Sequence, residues 1–374
     1  MGDSAKVQQA ALALGTTAVS TTASATLLSL LNVQVPLLLS PMAGAADATL
    51  AIAVARAGGL GAIPAATLSP QQLHDEVLRF RAAVAAPLNI NFFAHRVVEP
   101  SSTDIERWAE ALRPLHLALG LDVPSSASAG RQPFDAQALA SVQALRPEVV
   151  SFHFGLPPPP LLAAVKATGA IVLSSATTVA EARWLARHGA DAVIAQGWEA
   201  GGHRAMFLDD DIDGQVGTLA LVPQIVDAVD VPVIAAGGIA DGRGMAAALL
   251  LGAAAVQVGT AFLRTPEATT SAVHRQALAL GGDSGTRLTN VFTGRPARGL
   301  LNRMIRELGP MSTAAPAFPY AGSQSSALRT YSQAQGNGDF VPLWSGQAAA
   351  LAQEAPAGQV VADIVAQARR LLPA

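Results

Sequence analysis

Residues 191–206 read DAVIAQGWEAGGHRAM. The first half is an apolar run, and the second sets Gln196 beside two adjacent glycines, Gly201 and Gly202, and then His203 and Arg204. A strand that is apolar on both faces is covered on both faces, as in a parallel sheet wrapped by helices. Packing alone rarely calls for an amide, paired glycines, a histidine and an arginine at the end of such a strand. The stretch therefore reads as a buried parallel strand leaving into a loop that closes over a bound cofactor.

Seven other runs have the same character: VPLLLSP (35–41), GLGAIPA (59–65), PLNINFF (87–93), VVSFHFG (149–155), AIVLSSA (170–176), VPVIAAG (231–237) and AAVQVGTAF (254–262). Helix-like stretches over 46–57, 70–83, 160–168, 179–188, 220–229 and 242–251 lie between them. Eight covered strands with crossover helices predict an α/β fold, a (β/α)8 TIM barrel, rather than an open sheet. The domain reading is an N-terminal extension over 1–34 and a barrel over 35–263. An inserted, mainly helical lobe over 264–345 and a C-terminal helix over 346–374 returning to the barrel wall complete it. The first thirty residues lack a charged start followed by an apolar core, so they read as a loose extension or a short helix covering one end of the domain.

Composition narrows the function classes. Hydrophobic residues make up 51% and charged residues 14% of 374, the balance of a compact enzyme. The formal charge is −3 with no basic block, and aromatic residues are few, which argues against nucleic acid as a partner. The chain has no cysteine, excluding disulfides, thiolate metal sites and cysteine nucleophiles, and fitting a reducing cytoplasm. No apolar run is long enough to span a bilayer. No HExxH motif or clustered carboxylates suggest a metal.

Polar residues and glycines gather late in the strands. Met42 and Gly44 follow the first, and Asn91 lies in the third. His153 and Gly155 come late in the fourth, and Gln196 and Gly197 close the sixth. Gly237 and Gly238 close the seventh, and Gly259 and Thr260 come late in the eighth. Barrel enzymes build their sites at these carboxyl ends, so residues spread along the chain converge there. IAAGGIADGRG and VQVGTAF occupy the last two strand ends, where glycine-rich turns commonly present main-chain N–H groups to a phosphate, with the Thr260 hydroxyl adding a bond. Tight βα turns explain the same glycines without any ligand. His153 interrupts an apolar strand near the functional end; it is either a satisfied core residue or a proton acceptor. His74, His95, His116, His188 and His274 read as solvated or structural. Arg295, Arg298 and Arg303 read as ion pairs fastening the lobe, and Trp344 as pocket wall or lobe core.

Eight motifs in consistent order, SPMAGAAD, NINFF, SFHFGLP, AQGWEAGGHR, AAGGIADGRG, QVGTAF, TGRPARGLLNR and LWSGQAA, closely resemble those of the nitronate monooxygenases, long called 2-nitropropane dioxygenases. The likeness runs from about Val35 to Gln347, and the SFHFGLP and EAGGHR pair is similar to the histidine-containing class that oxidises nitronates. The resemblance implies FMN in the barrel, with Met42, Ala43 and Gly44 along the flavin ring and Asn91 and Gln196 bonding to the ring or ribityl chain. It places Gly201 and Gly202 in the loop that meets the cofactor. It also implies that Gly237, Gly238, Gln257, Val258, Gly259 and Thr260 hold the phosphate.

On that resemblance His153 is the catalytic residue, facing the flavin as the base towards a nitroalkane or as a hydrogen-bond partner for a nitronate. His203 either binds the nitro group or makes a structural hydrogen bond within its loop. A nitronate or nitroalkane and dioxygen are the implied partners, with a carbonyl compound and nitrite as products; the oligomeric state stays open. Ala45 and Ala205 stand where the family is expected to place glycine. Two rival readings remain: an NAD(P)H-dependent flavin reductase for enoyl thioesters or quinones on the same scaffold, and a non-catalytic sensor of a phosphate ligand.

Overall fold

All eight apolar runs form strands, and they lie parallel in one sheet. The computed structural model describes residues 22–128 and 130–373. The barrel strands are β1 (Leu37–Leu39), β2 (Gly61–Pro64), β3 (Leu88–Phe93), β4 (Val149–His153), β5 (Ile171–Ala176) and β6 (Ala192–Gln196), followed by β8 (Val233–Ala236) and β9 (Ala255–Val258). Their order is β1-β9-β8-β6-β5-β4-β3-β2, and a parallel bridge between Leu38 and Leu60 joins the first strand to the last. The ring is thus an eight-stranded α/β barrel.

Alternation along each strand decides which residues reach the interior. Leu88, Ile90 and Phe92 of β3 face outward into a layer with Leu73, Val77 and Phe80 of the helix Pro70–Ala83. Asn91 and Phe93 lie on the opposite face. That helix starts at a capping box in which Ser69 and Gln72 bond each other's main chain, with proline in its first turn. The C-terminal helix Ala357–Leu371 buries Val361, Ile364 and Val365 in the outer layer with Met245 and Leu249 of Gly242–Leu250.

The floor of the barrel is solid. Leu27 and Leu31 of the helix Thr22–Leu31 pack beneath Leu38, Leu60, Val149, Leu173, Ala192 and Ile234, and the Ser24 hydroxyl donates to the Ala254 carbonyl at 2.8 Å. This helix falls within the stretch read as an extension. Residues 1–21, the rest of that reading, lie outside the described residues.

Beyond β9 the chain forms the helices Ala272–Leu280, Arg303–Leu308, Ala321–Gln324 and Ser326–Ala334. It also forms a feature the sequence reading lacks. Strands β10 (Thr286–Thr289) and β11 (Ala297–Leu300) make a three-stranded antiparallel sheet with β7 (Gly202–His203). In that ladder His203 pairs with Ala297, and Gly202 with Arg298. The lobe thereby holds the loop quoted at the outset. Its core, with Phe292, Met304, Ile305 and Phe340, also takes in Trp108, Leu112 and Leu115 of the helix Ser102–Ala118, which precedes β4 in the chain. No helix among the described residues is long and apolar enough to cross a membrane.

Candidate active site

A cavity of about 620 Å³ opens at the carboxyl ends of the barrel strands, within the ~300–1,000 Å³ range of small-molecule sites. Its wall brings together Met42, Ala43, Gly44, Asn91, His153 and Gln196 from the early strands and the 201–203 loop, with Gly201, Gly202 and His203. Gly237, Gly238, Gln257, Gly259 and Thr260 come from the last two barrel strands. Among the residues assigned to cofactor, substrate or catalysis, Val258 is the exception, and the strand-end glycines Gly155 and Gly197 also stand outside the lining. Val258 sits between Gln257 and Gly259, so alternation turns its side chain outward into the aliphatic layer beneath the helices.

The loop after β6 is held by an unusually dense set of bonds. The Gln196 amide donates to the His203 carbonyl at 3.0 Å and accepts from the Ala205 N–H at 2.9 Å. Arg204, wholly buried, donates to the Gln196 carbonyl at 2.9 Å, the Gly197 carbonyl at 2.6 Å and the Gln215 side chain at 2.7 Å. Burial, with repulsion from Arg298, pulls its pKa down to about 9, so it stays charged at neutral pH. Glu181, 2% exposed, takes up the N–H groups of Phe207 and Leu208 on one oxygen and Thr177 on the other. A Cβ on Gly201 would lie 2.5 Å from the Gly346 nitrogen, so only glycine lets the loop lie against the returning chain.

Two of the imidazoles that line the cavity, His153 and His203, come from residues marked by the sequence. The Nε2 of His153 lies 3.1 Å from the His203 carbonyl, which can only accept, so Nε2 carries the proton. Its Nδ1 has no hydrogen bond and is not sealed off by protein, which leaves an acceptor open to the well. His203 repeats the pattern. Its Nε2 lies 2.9 Å from the Thr293 hydroxyl, which itself donates to the Arg295 carbonyl, and its Nδ1 is likewise free. Burial, reinforced by Arg295 and Arg204, holds the His153 pKa at about 4. Burial, with Arg131 and neighbouring rings, pushes His203 well below its ordinary value. Both rings are therefore neutral at pH 7 and fixed in orientation by what Nε2 touches.

The surroundings are aromatic. Phe154, next to His153, has φ +72°, a left-handed conformation costly for a bulky residue, and it turns its ring 4.5 Å from the imidazole. Arg295 stacks 4.1 Å over that ring and bonds the Met206 carbonyl, and Arg298 bonds the Trp198 carbonyl at 3.1 Å. Of the three arginines expected to form ion pairs, only Arg303 does so, with Glu307. The other two fasten the lobe through main-chain carbonyls and ring faces instead. Trp344 packs 5.5 Å from the His203 ring, and its carbonyl lies 3.0 Å from His274 Nε2. His274 thus lines the same cavity, which its sequence surroundings do not signal.

The residues present suit a flavin nucleotide. Gly44 and Gly202, at φ +80° and +72°, have nothing within 4 Å of where a Cβ would stand, leaving open space on both sides of the well. Gln257 Oε1 is buried with no partner. No main-chain hydrogen bond among the described residues takes up the N–H groups of Gly237, Gly238 or Gly259, and Gly237 and Gly238 have φ +109° and +70°. Such free N–H groups form a nest for a phosphate. The Thr260 hydroxyl already accepts from the Gly346 N–H at 2.9 Å, and its own hydrogen remains to donate. Among the described residues no group of three or more histidines or carboxylates is arranged to hold a metal ion.

Burial of neutral histidines has a cost in acid. His95, His153 and His274 are each held near pKa 4, chiefly by burial, against an ordinary value near 6.5. The unfolded chain binds more protons than the folded one between those values. Stability is therefore complete above about pH 6.5 and is lost as pH falls towards 4. At pH 5.5 each ring costs about 1 kcal/mol, so the Tm should drop by roughly 5 °C from its value at pH 7. Equal melting temperatures at the two pH values in a thermal scan would contradict this.

The sequence profile of the nitronate monooxygenase family matches residues 24–367. A nitronate monooxygenase from Pseudomonas aeruginosa is 41% identical over 343 residues, covering 91% of this chain and 98% of the relative. One from Paraburkholderia phytofirmans is 38% identical over 342 residues, 90% of this chain and 93% of the relative. Among solved structures, the nitroalkane oxidase of Streptomyces ansochromogenes superposes with a TM-score of 0.84 at 37% identity, covering 93% of this chain and 99% of its own. FabK from Thermotoga maritima does so at 0.70 and 29%, covering 92% and 96%. With one profile spanning nearly all of the described chain and relatives matched almost end to end, the chain belongs to the nitronate monooxygenase family.

Proposed function

We propose that this enzyme oxidises alkyl nitronates with FMN bound in the barrel and dioxygen as the oxidant, yielding a carbonyl compound and nitrite, in the cytoplasm. The observation that carries the reading is the character of the well. It presents three neutral imidazoles, those of His153, His203 and His274, and two arginines, and no carboxylate among the described residues lines it. That lining suits an anionic carbon acid and a phosphate-bearing cofactor, and it is poorly suited to a cation.

FMN, when bound, supplies the electron acceptor and the passage of electrons to dioxygen. The chain supplies the rest. Free N–H groups at Gly237, Gly238 and Gly259 take the phosphate. Asn91, whose amide nitrogen is spent on Ser151, offers its oxygen to the ring or ribityl chain. Gln196 has one amide hydrogen left after clamping the loop. Met42, Ala43 and Gly44 form the wall along the ring. For a nitroalkane, one imidazole of the His153–His203 pair accepts the α-proton at Nδ1. The carbonyl or hydroxyl on its Nε2–H then stabilises the imidazolium, as an orienting group does for other histidine bases. His153 is the ring marked by sequence; the free Nδ1 of His203 makes it an equal member of the pair.

The test is an anaerobic titration of the purified, FMN-loaded protein. Nitronate should bleach the visible flavin band, while NADPH leaves it oxidised. Rapid bleaching by NADPH without a response to nitronate would transfer the chain to the reductase reading. A colourless protein that takes up no added FMN would favour the sensor reading.

A further inference from the structure

We infer that Arg131 and Arg329 act as a specificity pair at the mouth of the well, favouring the nitronate anion over the neutral nitroalkane. The inference rests on the function proposed above. Arg131 lies between the helices Ser102–Ala118 and Ala136–Leu145, and Arg329 lies on the lobe helix Ser326–Ala334, so barrel and lobe each contribute one guanidinium to the same cavity wall. Some arginines elsewhere are met by acids: Arg107 by Asp104, Arg113 by Glu110, Arg303 by Glu307. Arg131 and Arg329 make no ion pair and no side-chain hydrogen bond among the described residues, and Arg131 instead lies 5.7 Å from the centre of the Phe93 ring. Burial disfavours the charge on Arg131, and repulsion from Arg329 adds to that cost. Two like charges kept together beside a well with no carboxylate are unfavourable until an anion arrives.

The remainder of the molecule makes the pair matter more. The chain carries a formal charge of −3, so its overall field repels an anion. Beyond about 8 Å at physiological salt that field is screened, and what an approaching nitronate meets at the mouth is the arginine pair. A neutral nitroalkane feels no such pull. The effect belongs to capture, so it appears in KM and in salt dependence rather than in kcat.

The experiment compares propyl-2-nitronate with neutral 2-nitropropane, the latter as substrate or as competitor of the nitronate, in the FMN-loaded enzyme at increasing ionic strength. Wild type should lose nitronate kcat/KM as salt rises and show a flat response for 2-nitropropane. The double variant R131M/R329M should lower nitronate kcat/KM about tenfold or more through KM, flatten its salt dependence and leave 2-nitropropane unchanged. R131K/R329K should keep most of the steering. Nitrate, a planar oxyanion that cannot react, should bind about tenfold more weakly to R131M/R329M by calorimetry. Equal losses for both compounds, or unaltered nitronate KM and nitrate affinity in R131M/R329M, would overturn the pair's role while leaving the proposed function intact. A wild-type enzyme that turns over neither compound would overturn both.

Discussion

Asparagine at both His153 and His203 should lower kcat/KM for a neutral nitroalkane by about 10²- to 10⁴-fold, the range that general-base catalysis supplies. Turnover of the preformed nitronate should change far less, because that substrate has already lost its α-proton. FMN content should stay close to that of wild type, since neither ring belongs to the proposed phosphate nest. The single variants then assign the proton. The ring whose loss reproduces most of the double variant's defect is the base, and its partner is the anchor. Asparagine keeps a donor for the His203 carbonyl or the Thr293 hydroxyl, so the loop should hold its shape. A double variant with wild-type nitroalkane kinetics would remove the imidazole pair from the chemistry altogether.

Replacing Arg204 with methionine should destabilise the fold by about 3–4 kcal/mol, measured as a shift in the denaturant midpoint. Methionine fills much of the volume yet leaves Gln215 and the Gln196 carbonyl without their donor and the Gly197 carbonyl with only one. Lysine should rescue little. A single ammonium cannot reach three acceptors that a planar guanidinium meets at once. The damage should also reach the site, because those acceptors belong to the strand end and loop that present Gly201, Gly202 and His203. Arg204→Met should therefore release FMN more readily than wild type. An unchanged midpoint would show that Gln196, Glu181 and the β11 ladder hold the loop without the Arg204 guanidinium.

Much of this was legible before any coordinates. The barrel declares itself because parallel strands covered on both faces are continuously apolar, and several departures from that rule, Asn91, His153 and Gln257 among them, fall where the interior opens. Alternation also turns the Val258 side chain away from the well. Other features escape such reading for physical reasons. Strand β7 is two residues long and exists only because β11, nearly a hundred residues later, lies beside it. Trp108 sits in an ordinary amphipathic helix whose partners, Phe292 and Phe340, come much later in the chain. Glu181 follows Thr178 at the spacing of a capping box, which hides that its carboxylate serves Thr177, Phe207 and Leu208. Arg131 and Arg329 belong to no motif. What sets them apart is that both line one cavity, which only the folded chain reveals.

The leucines beneath the barrel carry a consequence for traffic. With Leu27 and Leu31 stoppering the lower end, the rim is the doorway, and in the proposed reaction organic substrate, oxygen and both products would share it. Turnover would then be a queue. Whatever lingers at the rim would delay everything behind it, so departure of the proposed products would bear on the pace of the cycle as directly as the bond-breaking deeper inside.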